Sequence, residues 1–138
     1  MHRSTDSVRI AIFDASDNNN FLVLTEADDL GNWKLPGGKF ETSDGVDENS
    51  PLTAALRELS EELNLEIEAS ALRQADTLIN ADGVSARHIF ALVLKPDEVS
   101  PSSEIAEATW FTVNSLPECK NREHILGAVA TARLALAG

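Results

Sequence analysis

Leu52, Leu56, Leu59 and Leu63 recur at helical spacing after Ser50-Pro51 and draw one apolar stripe along the centre of the chain. Ser50 is the expected N-cap, and Pro51 suits the first helical position, where its missing amide hydrogen costs nothing. Asn64 stands where such a helix should stop, because asparagine tolerates the left-handed backbone that ends helices. Successive helical residues turn by roughly 100°, so Glu58, Glu61 and Glu62 project from one side while Leu56, Leu59 and Leu63 project from the other. The leucine side demands a hydrophobic layer to lie on. The other side crowds carboxylates that repel one another by a few tenths of a kcal/mol per pair, a repulsion that a hard divalent cation would remove. A merely solvated acidic face is the alternative for an isolated cluster of this kind.

The hydrophobic layer is found in the flanking sequence. Val8–Phe13 and Phe21–Leu24 are apolar, β-rich runs parted by Asp14–Asn20, where Asp and Asn favour a turn. Leu65–Glu68, Ala75–Ile79, His88–Leu94 and Ala106–Val113 are further predicted strands, with a turn around Asn80–Gly83. Glu26–Asn32 is predicted as a loop that leads into a rigid corner, Trp33–Glu41, built on Pro36-Gly37-Gly38. Thr42–Asn49 is polar, acidic and without apolar period, so it is predicted as a surface loop. Glu123–Ala137 closes the chain as an amphipathic helix. Strands interrupted by one helix and ended by another predict an α/β fold, an α/β/α sandwich around a mixed sheet, in one domain spanning 1–138.

Charge narrows the partners. A formal net charge of -12 opposes any mode of binding that neutralises phosphates along a duplex, so no nucleic-acid polymer is expected. A small polyphosphate bridged by a metal ion remains compatible with it. Cys119 is the single cysteine, which leaves no internal disulfide framework. Met1–Asp6 leads into Val8–Phe13 without the length or cleavage pattern of a signal peptide, and no run approaches a membrane span. A cytoplasmic location, with no membrane partner, is the expectation.

Leu35-Pro36-Gly37-Gly38, followed by Ala54-Ala55-Leu56-Arg57-Glu58-Leu59-Ser60-Glu61-Glu62, resembles the signature of the Nudix family, a loop-helix-loop cassette of phosphoanhydride hydrolases. Val8–Leu24 and Glu104–Leu116 are also similar to that family. The resemblance implies that Gly37 and Gly38 shape the corner, with Gly38 beside the metal, and that Arg57 braces it. It implies Glu58, Glu61 and Glu62 as ligands of Mg²⁺, for which Mn²⁺ could substitute, with catalysis resting on Arg57, Glu58 and Glu61. Glu58 is also a candidate general base, with Glu104 and Glu107 as alternatives from a later segment. Gly37, Lys39, Trp33 and Glu104 are the candidate substrate contacts, although an aromatic beside a Pro-Gly corner is more often a packing anchor.

Two departures accompany the resemblance. About five extra residues lie between Gly38 and Arg57, so the family's acidic residue in that interval is expected at Glu48, with Glu41, Asp44 and Asp47 as rivals. Asn64 replaces a helix-ending glycine. The implied reaction is attack of water on a bridging pyrophosphate, without a covalent enzyme intermediate, so Cys119, Ser60 and His88 need no nucleophilic role. Adjacent Trp110 and Phe111 should point to opposite faces of a strand. Size and the lack of accessory segments are most similar to MutT-type enzymes, which implies a nucleoside triphosphate cut to monophosphate and pyrophosphate, by a monomer or homodimer. The chain has no Tyr for the dinucleoside-polyphosphate pattern and no Pro at the ADP-ribose subgroup's downstream position. ADP-ribose or another nucleotide sugar is the alternative substrate, and a non-catalytic nucleotide sensor is the rival from another class.

Overall fold

A computed structural model describes residues 6–137. Met1–Thr5, whose sequence bears on the expected lack of a signal peptide, lie outside that range. The strands are β1 (Ser7–Asp14), β2 (Phe21–Glu26), β3 (Asp29–Lys34), β4 (Gly37–Lys39), β5 (Arg73–Ile79), β6 (Ala86–Leu94) and β7 (Ile105–Phe111), and the helices are α1 (Ser50–Leu63) and α2 (Arg122–Ala137). All strands join one sheet in the order β3-β2-β1-β6-β5, with β4 added to β1 and β7 to β2. The β1–β6 pair is parallel and the other pairs are antiparallel, so the sheet is mixed.

Alternation along β1 sorts its side chains between two cores, since successive residues of a strand face opposite ways. Val8, Ile10 and Ile12 pack with Ala54, Ala55, Leu59 and Leu63 of α1. Ala11 and Phe13 pack with Ile125, Ala128 and Val129 of α2. The two helices therefore cover opposite faces of the sheet, as the sandwich expected from the sequence requires. Trp110 packs in the α1 core and Phe111 in the α2 core, so these neighbours do part to opposite faces. Among the described residues no helix is long and apolar enough to cross a membrane.

Several local expectations are corrected. Leu65–Glu68 forms no strand: Leu65 is buried in the α1 core, Ile67 packs against it, and Glu66 accepts the Ser60 hydroxyl at 2.6 Å, so packing and helix contacts replace a ladder. Part of the expected loop Glu26–Asn32 belongs to β3, which pairs with β2 through Leu24↔Lys34 and Glu26↔Asp29. Asp-Leu-Gly-Asn has little strand preference of its own, and the neighbouring ladder overrides it. Gly37–Lys39, expected as an irregular corner, is a short strand registered on β1. The helix N-cap is Asn49 instead of Ser50, which is the first helical residue and is buried. Asn64 ends α1 at φ 54, ψ 36, and its amide donates back to Leu59 and Ser60 carbonyls, as a left-handed cap should.

Candidate active site

The corner that precedes α1 is fixed by close backbone approach. Gly37 has φ 137, and a Cβ built there would lie 2.1 Å from the Val8 carbonyl oxygen, so no other residue fits without moving β1. A Cβ on Gly38 would lie 2.7 Å from Oε1 of Glu58, which brings that backbone directly against the helix carboxylate. The Gly37 amide donates to Oε1 of Glu62 at 2.9 Å. Strand β4 and the acidic side of α1 thus form one surface.

Arg57 organises this surface. Its Nε donates to Oδ1 of Asp44 and its Nη2 to Oδ2, both at 2.9 Å, a fork-on-fork pair. Its Nη1 reaches Glu58 at 3.0 Å, Glu61 at 2.8 Å and the Glu41 carboxylate at 2.6 Å, and Nη2 also donates to the Lys39 carbonyl at 3.2 Å. The guanidinium therefore links the corner, the loop and the helix. Hydrogen bonding to Asp44 is the largest reason that its pKa lies above the ordinary value. Burial pushes Asp44 upward, but the bonds from Arg57 and from the Glu41 amide outweigh it and hold the carboxyl below its usual range.

Asp44, with Glu41 beside it, and not Glu48, is consequently the acidic residue of the interval that engages the brace through both guanidinium edges. It lies in a single 3₁₀ turn, Thr42–Asp44, and is 5% exposed, whereas Glu41, Asp47 and Glu48 are exposed. Spacing could not select it, because a loop without periodicity carries no signal of which carboxylate folds inward. The segment Thr42–Asn49 is thus a surface loop with one buried, charged anchor.

The three helix carboxylates differ in environment. Glu61 is exposed, Glu58 is mostly covered, and Glu62 is 3% exposed. Burial raises the Glu62 pKa to about 7, against the Gly37 hydrogen bond that lowers it, and repulsion from Glu58 adds to the rise. Burial also raises Glu58, with Arg57 opposing. The charge held here is unfavourable chiefly through desolvation, a larger effect than the crowding deduced from helical spacing. Among the described residues, no three carboxylate or imidazole side chains converge into a preformed cation cage. Arg57 occupies oxygens of Glu58 and Glu61, and the Gly37 amide occupies Glu62. The donor set nevertheless suits Mg²⁺, which takes oxygen ligands, retains water and commonly binds through one or two carboxylates together with substrate phosphates.

On the α2 side of the sheet a cavity of about 620 Å³, within the range of small-molecule sites, is lined by Arg9, Lys34, Lys39, Arg87, Asn121 and His124 among others. Arg9 is opposite Gly37 in the β1–β4 pairing, and its Nη1 donates to the Leu35 carbonyl at 3.0 Å. Its pKa is lowered, first by burial and then by Arg87, while Glu62 and Glu58 pull it upward. Arg9 therefore lies within electrostatic range of the helix carboxylates and also lines the cavity. Lys34 is ion-paired with Glu26. Of the residues expected to contact substrate, Lys39 lines the cavity and Gly37 meets Glu62. Trp33 stacks edge-on against Phe111, with ring centroids 5.3 Å apart, and is a packing anchor. Glu104 is exposed before β7, its carbonyl accepting the Ala27 amide at 2.9 Å, and is not among the cavity residues. Neither Glu104 nor Glu107 bonds to α1 among the described residues. Arg9, Lys34 and Arg87 were missed from sequence because they come from separate strands and form no linear pattern.

The NUDIX domain model matches residues 3–129, and the chain belongs to that family: it is a Nudix pyrophosphohydrolase. A search of the curated proteins gives no match. Among solved structures, the NUDIX domain of Shewanella oneidensis NrtR complexed with ADP ribose is 20% identical, with a TM-score of 0.70 over 99% of this chain and 90% of that one. NrtR complexed with a 27mer DNA matches at 19% identity and TM-score 0.67, over 95% of this chain but 61% of that one. An ADP-ribose pyrophosphatase from Streptococcus suis is 23% identical, with TM-score 0.66 over 95% and 93% of the two chains. The dihydroneopterin triphosphate pyrophosphohydrolase of E. coli is 20% identical, with TM-score 0.63 over 99% and 98%.

Proposed function

We propose that this enzyme hydrolyses a nucleoside triphosphate to the monophosphate and pyrophosphate with Mg²⁺, in the cytoplasm and without a nucleic-acid polymer as partner. The observation that carries this reading is Arg9, which lines a cavity of nucleotide size and stands opposite Gly37, whose amide holds Glu62 of α1. In this reading Glu58, Glu61 and Glu62 hold the metal beside Gly38, and Mn²⁺ substitutes for Mg²⁺. When bound, the ion supplies neutralisation of charge at the phosphate oxygens. Arg57 fixes Glu58 and Glu61 through their shared hydrogen bonds, so neither carboxylate must be ordered at the moment of reaction. Glu58 accepts the proton of the attacking water, its position fixed by Gly38 and Arg57. Arg9 orients the phosphate chain from the cavity side.

Product analysis with a panel of nucleoside triphosphates and Mg²⁺ tests this, and pyrophosphate with a monophosphate is the expected product pair. Turnover of ADP-ribose with none of any triphosphate would replace it with a nucleotide-sugar pyrophosphatase. Binding without turnover of either would point to a nucleotide sensor.

A further inference from the structure

The cation row beside the catalytic surface has a second level. In the strand pairings Lys39 is opposite Ser7 and Ser7 is opposite Arg87, so these residues form one row across β4, β1 and β6. Cross-strand neighbours share a face, which puts the row on the side of Arg9 and the cavity. Arg9 is level with Gly37, where Glu62 is bound. The Lys39–Ser7–Arg87 row lies two residues away along β1, about 7 Å at strand rise. One level therefore adjoins the carboxylates and the other is displaced from them.

Arg87 is held without being neutralised. Its Nη1 lies 2.7 Å from Nδ1 of His124, and since a guanidinium can only donate, that ring nitrogen is the acceptor. Among the described residues no carboxylate forms an ion pair with Arg87 or Lys39, unlike Lys34 with Glu26 and Arg57 with its acids. The carboxylate in the same wall, Asp82, is bound into its own turn by the Val84 and Ser85 amides at 2.8 and 2.9 Å and the Ser85 hydroxyl at 2.7 Å. In a chain of net charge -12, two cations with no ion pair among the described residues put positive charge at one cavity wall, where an anionic ligand would meet it.

We infer that the Lys39–Ser7–Arg87 row binds a second phosphate, carried on the ribose of the nucleotide in the cavity and separate from the chain that is cleaved. Arg87 is the specificity-determining residue and His124 its positioning residue. This rests on the assignment of the cavity as the nucleotide site. The fork of the guanidinium suits a phosphate dianion, and a hydroxyl at the same place would leave its charge unmatched.

The test is metal-free titration calorimetry with nucleoside 3′,5′- and 2′,5′-bisphosphates against the matching 5′-monophosphates, for adenine, guanine and pyrimidine bases. At least one bisphosphate should bind about tenfold tighter than its monophosphate. In Arg87→Gln that preference should shrink to within about twofold while monophosphate affinity holds, and Arg87→Lys should keep part of it. His124→Ala should lower the preference without abolishing it. Melting temperatures identify any variant that fails to fold, and Lys39→Gln then supplies the same comparison from the other end of the row. Equal binding of all pairs by the parent, or equal weakening of both members in Arg87→Gln, overturns the inference, because the guanidinium would then face a group common to both. Failure of the hydrolase reading shows separately, as no turnover with Mg²⁺ while these affinities persist.

Discussion

Glu62 is the residue at which folding and the proposed metal binding conflict most directly. It is buried to 3% exposure with a pKa near 7, against an ordinary value of 4.5. Between those pH values the native chain holds a proton that the unfolded chain has released. The stabilisation is therefore complete below about 4.5 and is lost as pH rises through about 7, amounting to about 3 kcal/mol. Asp44 has the opposite sign, with its folded pKa depressed, so its stabilisation disappears only under more acidic conditions. Glu62→Gln keeps an acceptor for the Gly37 amide and removes the charge. In chelator at pH 8 the variant should melt above the parent, and its melting temperature should depend less on pH between 5 and 8. With excess Mg²⁺ the order should reverse, because the parent gains stability through binding and the variant has lost a ligand oxygen charge. Hydrolysis should fall by about tenfold or more. Full Mg²⁺-dependent activity in Glu62→Gln would remove Glu62 from the metal set.

At the scale of elements, the two glycines of β4 should separate folding from chemistry. Gly37→Ala drives a Cβ against the Val8 carbonyl at a backbone angle that alanine rarely adopts, so the expected result is loss of the folded protein or a drop of more than about 3 kcal/mol in denaturant unfolding. In Gly38→Ala the clash falls on the end of the Glu58 side chain, which can swing away. That variant should fold near normally and lose hydrolysis. The loop before α1 divides similarly: removing residues 46–48, all exposed, should shift stability by no more than about 1 kcal/mol, whereas Asp44→Ala leaves Arg57 short of its fork partner and should cost about 3 kcal/mol. Equal melting temperatures for those two changes would show that the brace carries no stability. These elements also mark what the sequence could reveal. Leucine period, Asn64 and the glycine pair made α1 and its corner legible, because each is a local rule. Asp44, β3 and the unpaired course of Leu65–Glu68 were not, since each is decided by contacts rather than by its own residues: Arg57 for Asp44, the β2 ladder for Asp-Leu-Gly-Asn, and the α1 core for Leu65 and Ile67. Arg9 and Arg87 meet only through the parallel β1–β6 pairing, which no local pattern announces.

For the whole molecule, the net charge of -12 sets how partners approach. A polyanion meets a net-negative molecule, in which Arg9, Lys34, Lys39 and Arg87 line one cavity and Arg57 is engaged by carboxylates. On the proposed reading a mononucleotide enters that cavity, where the positive wall acts at contact distance. A duplex must lie across the acidic exterior and cannot present its phosphates to a recess. The fold is shared with NrtR, which has been seen with a 27mer DNA, so fold alone does not decide the matter. The distinction predicts opposite responses to salt. At 50 mM salt a labelled duplex of that length should show no mobility shift with micromolar protein, and lowering the salt should not rescue binding, because long-range repulsion strengthens as screening weakens. Nucleotide binding should persist at the same salt and should weaken as salt rises toward 0.5 M, since the attraction to Arg9, Lys39 and Arg87 is screened. Specific retention of duplex at low salt, falling steeply with added salt, would mean that cations outside the cavity form a nucleic-acid surface and would overturn the assignment of a small nucleotide as the partner.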